Sequence, residues 1–243
     1  MKKSVYKEVY TNELNHGWYV ATRKLMISSL KNNIKKNAKI LDAGCGTGGT
    51  IKYLANAGFK NVQGIDNSPE ALKFCRKRRL QNVQLGSVNN LPFKDQSFDA
   101  VICLDVLYHK EVIPTKALAE FKRVLKSGSI LYLQEPAYNW LKSSHDVAIE
   151  AERRFTRKEV KELITSADFK IIKCSYFNSI LLIPIILKRL YGKLFKDYHL
   201  SSDVKPLPQI FNKFFLAILT TEKKVIDSFD FPFGLSIICL SKK

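Results

Sequence analysis

The stretch that most constrains the fold of this chain runs from Leu41 to Gly49 and reads LDAGCGTGG. Apolar residues lead into it, and Asp42 precedes three alternating glycines, Gly44, Gly46 and Gly48. Glycine tolerates positive φ and lets backbone N–H groups approach a ligand without an intervening side chain. The stretch therefore predicts a buried strand that ends in a ligand-binding loop of an α/β fold.

Two kinds of ligand fit this loop. Gly44, Gly46 and Gly49 satisfy the dinucleotide pattern G-x-G-x-x-G, and Asp66 lies at the usual distance downstream. Asp42 would repel a pyrophosphate and would attract an ammonium group, which S-adenosylmethionine carries. Asp66 ends a second predicted strand, where its carboxylate can accept both hydroxyls of a ribose. S-adenosylmethionine is the favoured ligand, and a nicotinamide dinucleotide stays open.

Four segments carry a resemblance to a known family. In order and spacing, LDAGCGTGG, GIDNSPEAL, LPFKDQSFDAVICLDVLYH and RVLKSGSILYL resemble the class I S-adenosylmethionine-dependent methyltransferases, in the branch called type 11. The resemblance implies a Rossmann-like α/β sandwich with helices on both faces. It also implies a mostly parallel seven-stranded sheet with an antiparallel last strand, and a helical insertion before that strand.

The resemblance assigns cofactor contacts residue by residue. It places the methionine end of S-adenosylmethionine along the glycine loop and the ribose at Asp66. The family usually has an acid for the adenine amine, where this chain has Ser87, a neutral and weaker acceptor. Arg23 is the candidate for the cofactor carboxylate. The predicted cofactor-binding residues are Arg23, Asp42, Ala43, Gly44, Cys45, Gly46, Gly48, Asp66, Asn67, Ser87, Val88 and Leu104.

Candidate catalytic residues follow the fourth and fifth predicted strands. His109 ends the segment CLDVLYH, and His145 and Asp146 follow the fifth strand in the polar run SSHD. Ligands bind at the carboxyl edge of open α/β sheets, and a histidine titrates near neutral pH. We therefore expect one of these residues to accept the proton of a hydroxyl acceptor. The alternative for His109 is a structural hydrogen bond within a loop.

Five further segments suggest the acceptor. HGWYVATRKLM, PAYNWLKSSHD, ERRFT, YFNSILLIP and FPFGLSIICLSKK resemble a subgroup of these enzymes that is often associated with glycan or lipid-linked glycan pathways. This resemblance implies O-methylation of a small or lipid-linked polar acceptor such as a saccharide. An RNA methyltransferase, a nicotinamide-dependent reductase and a cofactor-binding regulatory protein without catalysis stay open as alternatives.

Charge and cysteine content narrow these alternatives. The net charge is +18, but lysines and arginines are spread along the chain, and the densest cluster, Arg76 to Arg79, suits the solvated end of a helix. Nucleic acid is therefore not the predicted partner. The five cysteines form no C-x-x-C pair, so we predict no metal site and reduced thiols. Without a signal-peptide pattern or a bilayer-length apolar run, the sequence predicts a cytoplasmic protein.

The chain is predicted to form one methyltransferase domain over residues 1–243. Its parts are an N-terminal helical cap (1–36), a cofactor-binding core (37–177), a helical insertion that covers the acceptor (178–232) and a final strand (233–243). In the insertion, the apolar run from Ile180 to Leu187 precedes four cations, which are Lys188, Arg189, Lys193 and Lys196. This pattern suits an anionic membrane at its inner face. A helix over the active site or a homodimer contact is the alternative.

Overall fold

The computed structural model describes residues 3–187 and 208–243. Among these residues, seven strands form one sheet in the order β3-β2-β1-β4-β5-β7-β6. The strands are β1 (Ile40–Ala43), β2 (Val62–Asp66), β3 (Val83–Leu85), β4 (Phe98–Leu104), β5 (Leu125–Pro136), β6 (Lys170–Phe177) and β7 (Ser236–Lys242). Strand β7 is antiparallel to both of its neighbours, and the other pairings are parallel. The predicted fold is confirmed.

Helices connect the strands and cover the sheet. They are α1 (Lys3–Asn12), α2 (Gly17–Lys31), α3 (Gly49–Asn56), α4 (Pro69–Lys77), α5 (Pro114–Val124), α6 (Ser144–Ala148), α7 (Arg157–Ser166) and α8 (Gln209–Ile226). Residues 182–187 are also helical. Local sequence explains several helix starts, since Thr156 and Glu159 form the predicted capping box at the start of α7.

Side chains alternate between the two faces of the sheet, as the period of a strand requires. Ile40, Ala100 and Tyr132 face a buried cluster that includes apolar residues of α2, α3 and α8. Leu41 and Val101, one residue further along their strands, face the opposite cluster, which includes residues of α5 and α7. Both faces are therefore buried, and the carboxyl ends of the parallel strands are left to form a site.

The cap and the insertion meet above this edge of the sheet. Helix α8 lies in the predicted insertion and packs against α2. The N–H of Gly17, at the start of α2, donates to Asn212 Oδ1 on α8 at 2.7 Å. Glu222 of α8 is buried, and its carboxylate accepts the N–H groups of Ser179 and Ile180 after β6. These bonds hold α8 against the cap and against the segment that follows β6.

The proposed membrane segment is only partly described. Ile180 and Leu187 lie within the described residues and are exposed. The four cations Lys188, Arg189, Lys193 and Lys196 lie outside them. Every helix among the described residues is too short or too polar to cross a lipid bilayer.

Candidate active site

A cavity of about 600 Å³ lies along the carboxyl ends of the parallel strands. Its walls come from the loops after the five strands β1 to β5, from the cap helices, and from α8 with the segments that flank it. Ten of the twelve predicted cofactor-binding residues line it, all except Ala43, which lies inside β1, and Gly48, which precedes α3. His109, His145 and Asp146 line the same cavity. The fold therefore brings both predicted groups together.

The glycine loop presents its backbone to this cavity. The N–H groups of Gly44 and Cys45 both donate to Ile65 O, at 2.8 and 2.9 Å, which ties the loop to β2. Gly44 has a φ of 83°, and a Cβ there would lie 2.3 Å from a methyl group of Val106. Gly46 has a φ of 53°, but a Cβ there would meet no other protein atom within 4 Å. A ligand can therefore approach the backbone closely at Gly46.

Asp42 is a buried acid whose hydrogen bonding is incomplete. It is 2% exposed, and its Oδ2 has no hydrogen-bond partner among the described residues. Burial raises the pKa of Asp42 to about 7, although the charge of Arg23 acts in the opposite direction. A buried acceptor without a partner is costly, and a nearby cation favours the ionised form. The site therefore fits a ligand that brings an ammonium group to Asp42.

Asp66 lies at the end of β2, and backbone hydrogen bonds orient it. Its Oδ2 accepts the N–H of Gly46 and its Oδ1 accepts the N–H of Ser68, both at 2.9 Å. Burial raises the pKa of Asp66, and these two hydrogen bonds oppose the shift. Each carboxylate oxygen can accept more than one hydrogen bond, so capacity for ribose hydroxyls remains. Neighbouring Asn67 donates to Glu111 Oε2 at 2.8 Å.

Ser87 lies at the predicted adenine end of the cavity. Its Oγ accepts the N–H of Asn89 at 3.1 Å, which forms a local turn, and Val88 beside it is buried. An aspartate can form the same turn with one carboxylate oxygen and keep the other for a ligand.

We expect Ser87→Asp to bind S-adenosylmethionine several-fold more tightly. A charged acceptor for the adenine amine is stronger than a neutral one by about 1 kcal/mol, or about fivefold in affinity. Calorimetric titration measures the difference, and Ser97→Asp, at the amino end of β4 and outside the cavity lining, controls for the added charge. Weaker binding by a folded Ser87→Asp protein would show that Ser87 fits something other than the adenine amine.

Arg23 has a partner that the sequence did not reveal. The carboxylate of Glu13, 3% exposed, pairs with the guanidinium of Arg23 and accepts from the hydroxyl of Thr47. Arg78 also pairs with Glu13, at 2.9 Å, and its guanidinium lies 4.3 Å from the ring centre of Tyr10. This buried network ties the cap to the glycine loop. A role for Arg23 toward the cofactor carboxylate stays a proposal.

The three candidate catalytic residues have different electrostatic environments. Burial lowers the pKa of His109 to about 4, although the backbone carbonyls of Glu150 and Ile149 favour its protonated form. Burial alone would raise the pKa of Asp146, but the hydrogen bonds and charge of Arg154 lower it. His145, on α6, is half-buried. Neither His109 nor Asp146 therefore titrates near neutral pH.

Asp146 and Arg154 form a buried pair. The Arg154 side chain donates to both carboxylate oxygens of Asp146, at 2.7 and 2.9 Å, and also to Ala137 O at 3.3 Å. The N–H of Ser143 donates to Asp146 Oδ2 at 2.7 Å, which completes the capping box of α6. The pair holds α6, which carries His145, against the end of β5.

Asp105 also lines the cavity, and the sequence analysis did not select it. It directly follows β4 and has a φ of 56°, a conformation that non-glycine residues seldom adopt. Its Oδ2 accepts a hydrogen bond from Gln134 Nε2 of β5 at 3.0 Å. Neither the left-handed backbone nor the pairing with Gln134 has a signal in the sequence around CLDVLYH.

Comparison with known proteins identifies the family. Residues 41–133 match the methyltransferase domain family. An uncharacterized protein of Methanocaldococcus jannaschii is 31% identical over 166 residues, which are 68% of this chain and 67% of that protein. The phthiotriol/phenolphthiotriol dimycocerosates methyltransferase of Mycobacterium leprae is 35% identical over 129 residues, 51% of this chain and 45% of that enzyme.

The fold has similar solved structures. Geranyl diphosphate methyltransferase in complex with GPP and sinefungin superposes with a TM-score of 0.62 at 16% identity, covering 92% of this chain and 77% of that one. At this identity the likeness concerns the fold. The chain spans about half the length of the first curated relatives that it matches, between 42% and 47%.

The fold, the glycine loop and the unpartnered acid beside it define a class I S-adenosylmethionine-dependent methyltransferase. The chain belongs to this family, as the match over residues 41–133, the similarity to relatives named as methyltransferases and the similarity to the Methanocaldococcus jannaschii protein over 67% of its length show. S-adenosylmethionine, rather than a nicotinamide dinucleotide, is therefore the cofactor of this chain.

Proposed function

We propose that this chain transfers a methyl group from S-adenosylmethionine to a hydroxyl group of a saccharide or lipid-linked saccharide. One observation carries the proposal. The unpartnered Asp42 Oδ2 at the end of β1 and the polar residues that follow β4 and β5 line the same cavity. A donor end and an acceptor end within one cavity are what direct group transfer requires.

The roles of the residues follow from their placement. When bound, S-adenosylmethionine supplies a methyl group that its sulfonium has already activated for displacement. Asp42 accepts hydrogen bonds from the cofactor's ammonium group, and Asp66 accepts those of its ribose. Ser87 contacts the adenine amine. The cap helices and Phe215 of α8 form part of the cavity wall, which reduces the access of water and strengthens these polar contacts.

The acceptor class is supported by chemistry and by relatives. The acceptor side of the cavity carries Asp105, Gln134 and His145, which can form hydrogen bonds to hydroxyl groups. The relative from Mycobacterium leprae is named a phthiotriol/phenolphthiotriol dimycocerosates methyltransferase. A further relative, from Aspergillus nomiae, is named an O-methyltransferase and is 33% identical over 107 residues.

A labelled transfer assay tests this function. The protein is incubated with S-adenosylmethionine carrying a labelled methyl group and with separate lipid, glycan and RNA fractions of a cell extract. We expect label in the lipid or glycan fraction, in a form that resists mild base treatment, as a methyl ether does. Label confined to RNA would contradict the acceptor class, and label in no fraction would contradict transfer itself.

We also propose a peripheral contact with anionic membranes through residues 180–196. Ile183 and Leu187 are 65% and 61% exposed, and four cations follow them in sequence. Each cation near an anionic surface gains about 1 kcal/mol.

Sedimentation with vesicles tests this contact. We expect more binding to anionic than to neutral vesicles, a decrease with salt, and a loss when Lys188, Arg189, Lys193 and Lys196 are changed to Gln. The matched control changes four exposed lysines elsewhere, Lys31, Lys35, Lys52 and Lys60, and removes the same charge. Equal losses of vesicle binding in the two variants would indicate general charge attraction. If the protein shows no preference for anionic vesicles at low salt, the segment is instead a pocket-closing helix or a dimer contact.

A further inference from the structure

Asp105 is held rigidly at the point where β4 opens into the cavity. Its N–H donates to Gln134 O at 2.8 Å, and Gln134 Nε2 donates to its Oδ2 at 3.0 Å. Both bonds follow from the strand register, in which Leu104 lies beside Gln134. Asp105 Oδ1 accepts no hydrogen bond from any described residue. One oxygen therefore fixes the carboxylate, and the other can serve a ligand.

The buried carboxyl group of Glu135 stabilises the left-handed backbone conformation at Asp105. Glu135 is fully buried, and its Oε1 accepts the N–H groups of Val106 and Leu107 at 3.2 and 2.8 Å. The chain after β4 therefore wraps around this carboxyl group, which keeps the φ of Asp105 at 56°. Strained conformations of this kind persist where the surrounding structure enforces them, and they cluster at functional sites.

The cavity also contains an unpartnered polar group beside Asp105. Gln134 is 1% exposed, it lines the cavity, and its Oε1 has no hydrogen-bond partner among the described residues. A buried amide oxygen without a donor is costly. A ligand hydroxyl at this point can donate to Gln134 Oε1 or to Asp105 Oδ1. The hydrogen bonding of these two side chains is therefore complete only when a ligand donates to them.

The charge state of Asp105 suits proton exchange. Burial raises its pKa to about 7, and the hydrogen bond from Gln134 and the charge of Arg154 oppose the shift. Burial and the nearby Asp105 raise the pKa of Glu135 well above its usual range, and its hydrogen bonds from backbone N–H groups oppose the shift. Burial also raises the pKa values of the tyrosine and cysteine side chains that interact with Asp105, so these side chains are neutral near pH 7; they are Tyr19, Cys103, Tyr108 and Tyr132.

We propose that Asp105 is the catalytic residue that accepts the proton of an uncharged hydroxyl acceptor, and that Gln134 and Glu135 are its positioning residues. The inference rests on the proposed function and names the group that is methylated. The acceptor oxygen bonds to the methyl carbon as the carbon–sulfur bond breaks, the electron pair stays on sulfur, and the hydroxyl proton passes to Asp105 Oδ1. An ionised Asp105 would repel a carboxylate or phosphate acceptor, so the acceptor group is neutral.

Titration of the Asp105 carboxyl group tests the proposed catalytic role of Asp105 without an acceptor present. Protein with carbon-13-labelled aspartate is titrated by NMR with S-adenosylhomocysteine bound and then with S-adenosylmethionine bound. The two ligands differ by the transferable methyl group and its positive charge. A carboxylate that faces the methyl group will therefore have a lower pKa with S-adenosylmethionine, by about one unit or more.

Variants assign the signal and test the positioning role. Asp105→Asn identifies the Asp105 signal by removing it. If Asp105→Asn does not fold, Asp105→Glu is used instead, since it also removes the labelled aspartate at this position. Asp99, which is hydrogen-bonded to Lys126 and to the N–H of Lys39 at the opposite end of β4, is the internal control and should titrate alike with both ligands. Gln134→Ala should raise the pKa of Asp105, because it removes a hydrogen bond that favours the ionised form.

The outcomes of the titration and of the binding measurement either support the proposal or overturn it. A lower pKa of Asp105 with S-adenosylmethionine than with S-adenosylhomocysteine supports the proposal. If both ligands bind by calorimetry and Asp105 titrates at the same pH in both complexes, the inference is overturned and the proposed function stands. If neither ligand binds, the proposed function fails and the inference fails with it.

Discussion

Replacing Asp42 with Asn is expected to weaken S-adenosylmethionine binding by about 10- to 150-fold. The change removes a charge-assisted hydrogen bond to the cofactor's ammonium group, which is worth about 1.5–3 kcal/mol. The wild-type affinity should also rise with pH up to about 7, because the pKa of Asp42 in the ligand-free protein is about 7 and only the ionised form attracts the cation. In Asp42→Asn this component of the pH dependence should disappear.

The same substitution should stabilise the ligand-free protein at alkaline pH. Burial raises the pKa of Asp42 above its value in the unfolded chain, so the folded state holds the proton more tightly. The stability contributed by this group is present below the unfolded pKa and is lost as pH rises through 7. Chemical denaturation should therefore find Asp42→Asn more stable than wild type at pH 8, with a difference that decreases toward pH 4.

Calorimetry and denaturation together separate the two effects of Asp42→Asn. Asp99→Asn is the matched control, since Asp99 lies at the amino end of β4, away from the cavity lining. Tight binding by Asp42→Asn, or an unchanged pH dependence, would contradict the role that we assign to Asp42.

Arg154→Ala is expected to lower the free energy of unfolding by about 3 kcal/mol. Arg154 and Asp146 are 7% and 3% exposed, and removing one partner leaves a buried charge uncompensated. Burial would then raise the pKa of Asp146, so the loss of stability should decrease as pH is lowered and Asp146 is protonated. Denaturation at several pH values measures both effects.

The control for this pair is Lys158→Ala, which breaks the exposed ion pair with Glu162. Exposed pairs contribute little, so its effect should stay within about 0.5 kcal/mol. The assigned role of the Arg154–Asp146 pair would be wrong if Arg154→Ala lost as little unfolding free energy as the control. It would also be wrong if that loss increased as the pH was lowered.

The sequence indicated most of the residues that line the predicted cofactor side of the cavity because their determinants are local. Gly44 and Gly46 need glycine for reasons of backbone geometry and close approach, and such requirements are visible in a single segment. The strands on either side are short apolar runs, and their alternation with helices predicted a parallel sheet. Asp42 and Asp66 lie at strand ends, so their position at the cavity follows from the fold.

The acceptor half could not be predicted in the same way because it depends on contacts between distant segments. Asp105 meets Gln134 only because β4 pairs with β5 in one register. Asp146 is paired with Arg154, although the sequence presents the two as separate polar runs. Glu13 meets Arg23 and Arg78 only after the cap has folded onto the glycine loop. Burial then sets the pKa values that distinguish Asp105 from His109.

Calorimetric titration of S-adenosylmethionine into wild type, Gly46→Ala and Gly128→Ala tests the central claim most directly. Both glycines have positive φ, of 53° and 76°, so both alanines carry backbone strain, but only the Cβ at Gly46 would enter the cavity. We predict that wild type and Gly128→Ala bind one cofactor per chain and that Gly46→Ala binds about 100-fold more weakly. Equal binding by all three proteins, or no binding by wild type, would contradict the account.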